Sequence, residues 1–169
     1  MGSEMCIRDR DSSVGGKTAV NNGPAKNSIG TFYHPKVVFC DTSFLGTLPE
    51  RAFLAGYAEV LKMALVFDKD FYKFLTKNQK LISLRDEVAL VRIIDKSLEL
   101  KSKVVEIDET EQGDRALLNF GHTFGHALET YFSYSEKLLH GEAVSLGIVL
   151  AARFSNQEGY LSECKLENI

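Results

Sequence analysis

The sequence predicts an α/β plus α protein, in which a short α/β segment precedes a mainly helical domain that begins at Pro49. Two observations predict it. The apolar, β-branched run at 36–41 is typical of a buried strand, and after Pro49 apolar residues recur at helical spacing. With 169 residues, of which 44% are apolar and 25% charged, the chain can bury the core of one domain or two small ones.

The N-terminal 35 residues predict little regular structure. Residues 1–10, MGSEMCIRDR, have no periodicity and resemble a translated sequencing-adaptor end, so we exclude them from the fold. Gly, Asn and Ser dominate from Asp11 to Pro35, with turn signals at Gly15-Gly16 and Asn22-Gly23-Pro24, which predicts a loop. An ordered loop of this length is usually functional.

The loop contains a partial phosphate-binding motif. Gly16-Lys17-Thr18 matches the end of a P-loop, but the first glycine of that motif would fall on Asp11, and turn residues follow where a helix should begin. A P-loop nucleoside triphosphatase is therefore not favoured. Backbone N–H groups of Gly15 and Gly16, with the Lys17 ammonium, would still suit a phosphate; an ordinary surface loop is the alternative.

Beyond Pro49 the pattern predicts helices over 50–67, 86–107, 115–132 and 141–158. Each of the first two helices carries an apolar stripe, formed by Leu54, Ala58, Leu61 and Leu65 in one and by Ile94, Leu98 and Val105 in the other. In the second stripe, Lys101 stands where a leucine is expected. Its stem could reach the surface, or its ammonium could face a substrate carboxylate or phosphate.

Composition excludes several functions. A net charge of −3, with dispersed Lys and Arg, argues against nucleic-acid binding. The sequence has no apolar run of about 20 residues and no signal peptide, which predicts a cytoplasmic protein without membrane attachment. The three cysteines are distant from one another and form no C-x-x-C pair, so we expect them to be reduced and structural: Cys6, Cys40 and Cys164.

The histidines indicate a functional site, because three of the chain's four lie within 122–140. On one continuous helix, Arg115, Asn119, His122 and His126 would share a face, an arrangement that suits a metal ion or an anionic, hydroxylated substrate. Three protein ligands are common in catalytic zinc sites. Thr123 occupies the place of the glutamate in the zinc-protease motif, so that class is excluded, but any of the histidines remains a candidate ligand.

Glu59 and Lys62 are three residues apart on the helix over 50–67, which is apolar nearly all round. Such a helix should be buried, and its charges should then be paired or metal-bound. A Glu59 carboxylate with imidazoles would make a mixed zinc site. A plain intrahelical ion pair is the alternative.

Several of these motifs, in this order and spacing, resemble the 3-dehydroquinate synthase family of sugar-phosphate cyclases. They are DSSVGGKT from Asp11, Lys26-Asn27, Thr47-Leu-Pro49, Ala58-Glu-Val-Leu-Lys62, Arg115-Ala-Leu-Leu-Asn119, Gly121-His-Thr-Phe-Gly-His126 and His140-Gly-Glu142. The resemblance runs from Asp11 to about Arg153. It implies that residues 11–48 are the end of an NAD-binding α/β domain and that residues 49–169 are a helical metal- and substrate-binding domain, both parts of a longer protein.

The resemblance also implies roles for individual residues. The metal ligands would be Glu59, His122 and His140. Catalytic or substrate-binding roles would fall to Asp11, Lys62, Lys101, Arg115, Asn119 and His126. Residues near the cofactor and the substrate phosphate would be Lys17, Lys26 and Asn27, and a turn that contacts the cofactor would be formed by Phe44, Leu45, Gly46 and Thr47.

The activity implied is that of an NAD- and zinc-dependent lyase of the shikimate pathway, with Co²⁺ as an alternative metal. It would convert 3-deoxy-D-arabino-heptulosonate 7-phosphate to 3-dehydroquinate and phosphate by transient oxidation, β-elimination and aldol closure, as a homodimer at full length. The rivals are 2-deoxy-scyllo-inosose synthase, 2-epi-5-epi-valiolone synthase, a metal-dependent polyol or glycerol-1-phosphate dehydrogenase, and a non-catalytic metal- or anion-binding module. We expect little or no turnover from residues 1–169 alone.

Overall fold

In the computed structural model, a two-stranded antiparallel sheet precedes a mainly helical body. The structure describes residues 14–22, 25–109 and 111–167, without the side chains of residues 21–28. The sheet consists of β1 (Lys17–Asn22) and β2 (Ala25–Phe32), with Lys17 opposite Phe32. The prediction of a loop over Asp11–Pro35 is therefore wrong for most of this segment. The turn signal separates two short strands, whose β-branched residues favour extended backbone.

The predicted strand at 36–41 is also wrong. This run is irregular, and Phe39 at its centre is 91% exposed. Among the described residues no strand pairs with this run. Its β-branched residues favour extended backbone, but a strand also needs a hydrogen-bonded neighbour.

Seven α-helices follow within the described ranges: α1 (Glu50–Phe67), α2 (Lys69–Lys77), α3 (Gln79–Ser83), α4 (Glu87–Ile107), α5 (His122–Tyr131), α6 (His140–Gln157) and α7 (Glu163–Leu166). A 3₁₀ helix, Thr42–Thr47, precedes α1. The predictions over 50–67, 86–107 and 141–158 are confirmed to within about one residue. In this part of the chain, no helix combines the length and the hydropathy that a bilayer span requires.

The predicted helix over 115–132 is interrupted. Asp114–Asn119 is a 3₁₀ helix, and α5 begins only after Gly121, whose φ of 79° is left-handed. Glycine adopts this conformation without the steric cost that a Cβ would add. Arg115 and Asn119 therefore do not continue the α-helical face of His122 and His126, contrary to the expectation from the spacing.

The main core lies among the first four helices and is built around Phe53, Met63, Leu75, Leu90 and Ile93. The predicted stripe on α1 is only partly buried, because Ala58 is buried and Leu61 and Leu65 are half-buried. Leu54 is 52% exposed, whereas Phe53 and Met63 are buried. Because α1 is apolar nearly all round, its sequence does not identify which face is the most buried.

Glycines let α6 pack closely between α1 and α5. A Cβ on Gly141 would lie 1.8 Å from the Ala55 carbonyl oxygen, and one on Gly147 would lie 2.0 Å from that of Gly121. Both distances are far inside van der Waals contact, so a larger residue would force the helices apart. This close packing brings the N-terminus of α6 next to α1 and α5.

The described cysteines do not lie in the core. Cys40 and Cys164 are both exposed, so the expected structural role does not hold for them. Cys6 lies outside the described residues.

Candidate metal and anion site

Three potential metal ligands converge where α1, α5 and α6 meet. Glu59 comes from the middle of α1, and His122 and His140 are the first residues of α5 and α6. One ligand atom from each lies within 4.8 Å of the other two. Glu59 Oε1 is 3.5 Å from His140 Nε2 and 3.8 Å from His122 Nε2. We refer to these residues as the Glu–His–His triad.

The Glu59 carboxylate is held on one side by Lys62. The Lys62 ammonium is buried and donates a 2.5 Å hydrogen bond to Glu59 Oε2. The other oxygen, Oε1, is buried without a hydrogen-bond partner and faces the two imidazoles. A buried carboxylate oxygen is normally hydrogen-bonded or bound to a cation, so its position fits a metal ligand.

The charges of the triad suit a metal ion as well. Burial alone would raise the pKa of Glu59, but the adjacent His140 ring and the charge and hydrogen bond of Lys62 hold it well below its usual range. Burial and the nearby Lys62 lower the pKa of His122 to about 4, so this imidazole is neutral at pH 7. Metal binding requires an ionised carboxylate and neutral imidazoles.

His140 differs from His122, because it lies between two carboxylates. The interaction with Glu59 raises the pKa of His140, burial opposes this, and Glu129 adds to the rise. Glu129 Oε1 lies 3.1 Å from His140 Nδ1. Glu129 was not predicted from the sequence, although on α5 it is seven residues after His122 and three after His126, a spacing that predicts a common helix face.

His126 lies beside the triad. Its ring centroid is 5.3 Å from that of His122 and 6.1 Å from that of His140, and its side chain is 58% exposed. His126, Glu129 and His140 also form a second group of potential ligands. The spacing of the histidines along the sequence could not distinguish His126 from the metal-ligand candidates His122 and His140. In the structure His126 lies at the solvent-exposed side of the triad.

An ion pair and a helix cap fix the start of α6 relative to α1. Arg51 on α1 contacts both oxygens of Glu142, at 2.6 and 2.7 Å, and also donates to the backbone carbonyls of Glu136 and Lys137. Glu142 in turn accepts a 2.8 Å hydrogen bond from the Leu139 amide. These contacts hold the segment that precedes His140. Arg51 is a residue that sequence reasoning missed.

A second group of candidate residues surrounds the Gly15-Gly16 turn, and we call it the cation cluster: Lys17, Lys101 and Arg115. Arg115 is 2% exposed, and its Nη2 donates a 2.8 Å hydrogen bond to the Gly15 carbonyl. Lys101 is also buried, and a Cβ on Gly15 would lie 3.6 Å from its Cε. The Lys101 side chain is therefore buried beside the glycine turn rather than extended to the surface. Partial burial and the charges of Arg115 and Lys101 lower the pKa of Lys17.

Acidic groups balance the cation cluster. Glu111 accepts a hydrogen bond from Lys17 and another, at 2.5 Å, from the Asn119 side chain. Asp108 accepts backbone hydrogen bonds from Gln112, Gly113 and Arg115, which shape the segment between α4 and the 3₁₀ helix at 114–119. Asn119 is therefore linked to the cation cluster through Glu111, a carboxylate that was not predicted from the sequence.

Of the remaining residues that the resemblance assigns to the cofactor, the structure describes the side chains of Phe44–Thr47. Phe44–Thr47 lie in the 3₁₀ helix before α1, where the Arg85 guanidinium binds the carbonyls of Leu45 and Gly46. Phe44 is 61% exposed, but the Leu45 side chain is buried in the core. Asp11 lies outside the described residues, as do the side chains of Lys26 and Asn27.

Two solved structures share this architecture. A 2-epi-5-epi-valiolone synthase from Streptomyces hygroscopicus, with NAD⁺ and Zn²⁺ bound, is 30% identical, with a TM-score of 0.84 over 95% of this chain and 45% of that chain. A 2-deoxy-scyllo-inosose synthase complexed with carbaglucose-6-phosphate, NAD⁺ and Co²⁺ is 27% identical, with a TM-score of 0.81 over 96% of this chain and 44% of that one. The fold is thus that of the sugar-phosphate cyclases.

Family models make the assignment narrower. The model described as 3-dehydroquinate synthase C-terminal matches residues 56–169, and the one described as 3-dehydroquinate synthase N-terminal matches residues 5–55. The chain belongs to the 3-dehydroquinate synthase family.

Curated relatives agree with the family models. The 3-dehydroquinate synthases of Campylobacter concisus and Geobacter sp. are 52% and 51% identical over 94% of this chain, and each match covers 44% of the relative. The chain therefore spans less than half the length of the relatives it matches.

Proposed function

We propose that this chain acts in the 3-dehydroquinate synthase reaction, the conversion of 3-deoxy-D-arabino-heptulosonate 7-phosphate to 3-dehydroquinate and phosphate. The observation that carries the proposal is the buried Glu59 oxygen, which faces two imidazoles and has no hydrogen-bond partner. Sequence identity supports this substrate over those of the solved cyclases, at 52% against 30% and 27%.

Glu59, His122 and His140 would hold a divalent metal, Zn²⁺ or alternatively Co²⁺. Zinc bound there would supply Lewis-acid chemistry to the hydroxyl groups of the substrate. Lys62 keeps the Glu59 carboxylate ionised and in place, and the low pKa of His122 keeps its ring nitrogen available. Three protein ligands would leave a position for substrate.

The cation cluster would bind the negative groups of the substrate. Arg115 is rigidly placed by its hydrogen bonds to the carbonyl of Gly15 and the backbone of Glu109, so its position is set before a ligand arrives. Lys17 and Lys101 add positive charge beside it. Asn119 and the exposed His126 would contact the hydroxylated part of the substrate, while Asp11, Lys26 and Asn27 would complete the site.

NAD would act as the hydride acceptor and donor in this proposal. Residues 11–48 would be the end of its α/β binding domain, and Phe44–Thr47 a turn that contacts it. Because the Leu45 side chain packs in the core, its contact would be through the backbone. A homodimeric, cytoplasmic protein is what we expect.

A chimera tests the function. Residues 11–169 would replace the matching segment of the Campylobacter concisus relative, and product formation and phosphate release would be measured with 3-deoxy-D-arabino-heptulosonate 7-phosphate. We expect turnover that is lost in the Glu59→Ala variant. Chelation should also abolish turnover, and added Zn²⁺ should then restore it. An active chimera with unchanged turnover after Glu59→Ala would overturn the metal assignment.

The chimera also separates the rival functions. Preference for the substrate of either solved cyclase would assign the chain to that reaction. A folded, zinc-binding chimera without product formation would favour a non-catalytic module. The 169-residue chain alone is expected to show little or no turnover, and turnover at rates typical of enzymes would contradict that.

A further inference from the structure

Glu129 is a buried carboxylate that the proposed reaction does not use. It lies on α5 and is 5% exposed. Burying a carboxylate costs free energy unless cationic or hydrogen-bonding groups compensate for it. The groups that face it therefore indicate what it does.

The two Glu129 oxygens face two different imidazoles. Oε1 lies 3.1 Å from His140 Nδ1, and Oε2 lies 3.9 Å from His126 Nε2. The contact with His140 has the length of a hydrogen bond but not the full geometry of one. The χ2 torsion of histidine is soft, so a small rotation of the ring would align it.

The two nitrogens of His140 therefore face opposite partners. Nε2 is 3.5 Å from the Glu59 oxygen of the Glu–His–His triad, whereas Nδ1 faces Glu129. A neutral imidazole carries one proton, and the group that binds one nitrogen decides whether the other has a free lone pair. A carboxylate can only accept, so it selects the tautomer with the proton on Nδ1.

We propose that Glu129 is a positioning residue that holds the His140 proton on Nδ1 and so directs the Nε2 lone pair towards the metal. The inference rests on the proposed metal site and deepens it. A carboxylate behind a ligating histidine orients the ring and makes it a better ligand, and loss of such a group commonly weakens metal binding 10- to 100-fold.

The same residues allow one different arrangement. His126, Glu129 and His140 Nδ1 could together bind a second metal ion. That ion and the proton on Nδ1 exclude each other, because both need the same lone pair. The positioning role is favoured because Glu129 is much closer to His140 than to His126, which is mainly solvent-exposed.

Zn²⁺ affinity and stoichiometry of the whole 169-residue chain test the inference. We expect one Zn²⁺ per chain, and an affinity about 10- to 100-fold weaker after Glu129→Ala. Glu129→Gln should lose less, because its amide oxygen can still accept from Nδ1. Glu106→Ala, which removes an exposed carboxylate from α4, should bind as the unmodified chain does.

Two spectroscopic measurements exclude a merely structural effect. Ring ¹⁵N shifts of the Zn²⁺-bound chain should show His140 protonated on Nδ1 and bound to the metal through Nε2 in the unmodified chain, and a mixture of the two binding modes after Glu129→Ala. The visible absorption of bound Co²⁺ should change in the same variant. If Glu129→Ala does not fold, Glu129→Leu, which also removes the acceptor, supplies both measurements.

Three results would overturn the inference. One is an unchanged pattern of His140 ring ¹⁵N shifts together with an affinity within twofold of the unmodified chain after Glu129→Ala. Another is a stoichiometry of two that falls to one on His126→Ala. The third is a chain whose Zn²⁺ affinity is unaffected by Glu59→Ala. Only the third also overturns the proposed metal site, so the two failures are distinguishable.

Discussion

The Glu–His–His triad and the cation cluster are built in opposite ways. The triad lies where α1, α5 and α6 pack at distances that only glycines allow. The cation cluster is held by hydrogen bonds and ion pairs between a glycine turn, the end of α4 and a 3₁₀ helix. Helix packing gives the triad a rigid frame, whereas the cluster depends on polar contacts that a competing anion can replace.

The largest expected effect comes from removing Lys62, which would break the buried pair within the triad. Lys62→Met should destabilise the chain by about 3–5 kcal/mol in the presence of chelator, because the Glu59 carboxylate would be left buried and unpaired. Urea unfolding measures this. The double variant Glu59→Gln, Lys62→Met should recover much of the loss; an equal loss would show that the charge is not the cause.

A smaller effect is expected from Gly141→Ala, which tests whether close packing builds the triad. Its Cβ would lie 1.8 Å from the Ala55 carbonyl oxygen, so α6 must move away from α1, at a cost of about 1–3 kcal/mol. The Zn²⁺ affinity of Gly141→Ala should also fall, because His140 moves with the start of α6. Gly46→Ala is the control, because nothing lies within 4 Å of the added Cβ. Equal effects in the two variants would contradict the packing argument.

The smallest effect concerns the cation cluster and its pH dependence. The backbone hydrogen bonds that Asp108 accepts from Gln112, Gly113 and Arg115 hold its pKa below the usual value. A lowered folded-state pKa stabilises the fold above the unfolded pKa of about 3.9, and this contribution is lost as pH falls through the folded value.

Asp108→Asn should therefore lower stability at pH 7 and flatten the decline below about pH 4. Thermal unfolding at a series of pH values measures both effects. Asp95→Asn, an exposed position on α4, should leave the curve unchanged. If both variants follow the unmodified curve, the Asp108 contacts do not stabilise this segment.

Helix periodicity predicted the three long helices well, and the bounds of α1, α4 and α6 agree with the predicted ones. It failed at the segment before α5, because nothing in the apolar pattern reveals that Gly121 adopts a left-handed φ. Local composition failed as a predictor at 17–32, where turn residues predicted a loop, and at 36–41, where β-branched residues predicted a strand. Strand formation depends on a backbone partner as well as on propensity.

By itself the sequence determined the kinds of chemistry available: histidines and a glutamate for a metal, lysines and arginine for an anion, and the order of helices that carry them. Only the tertiary structure decided which groups meet. Glu59 is more than 60 positions before His122, so their approach depends on helix packing, which periodicity does not encode. Only the tertiary structure placed Glu129 behind His140 and Glu111 beside Lys17, since contacts between elements depend on orientation in three dimensions.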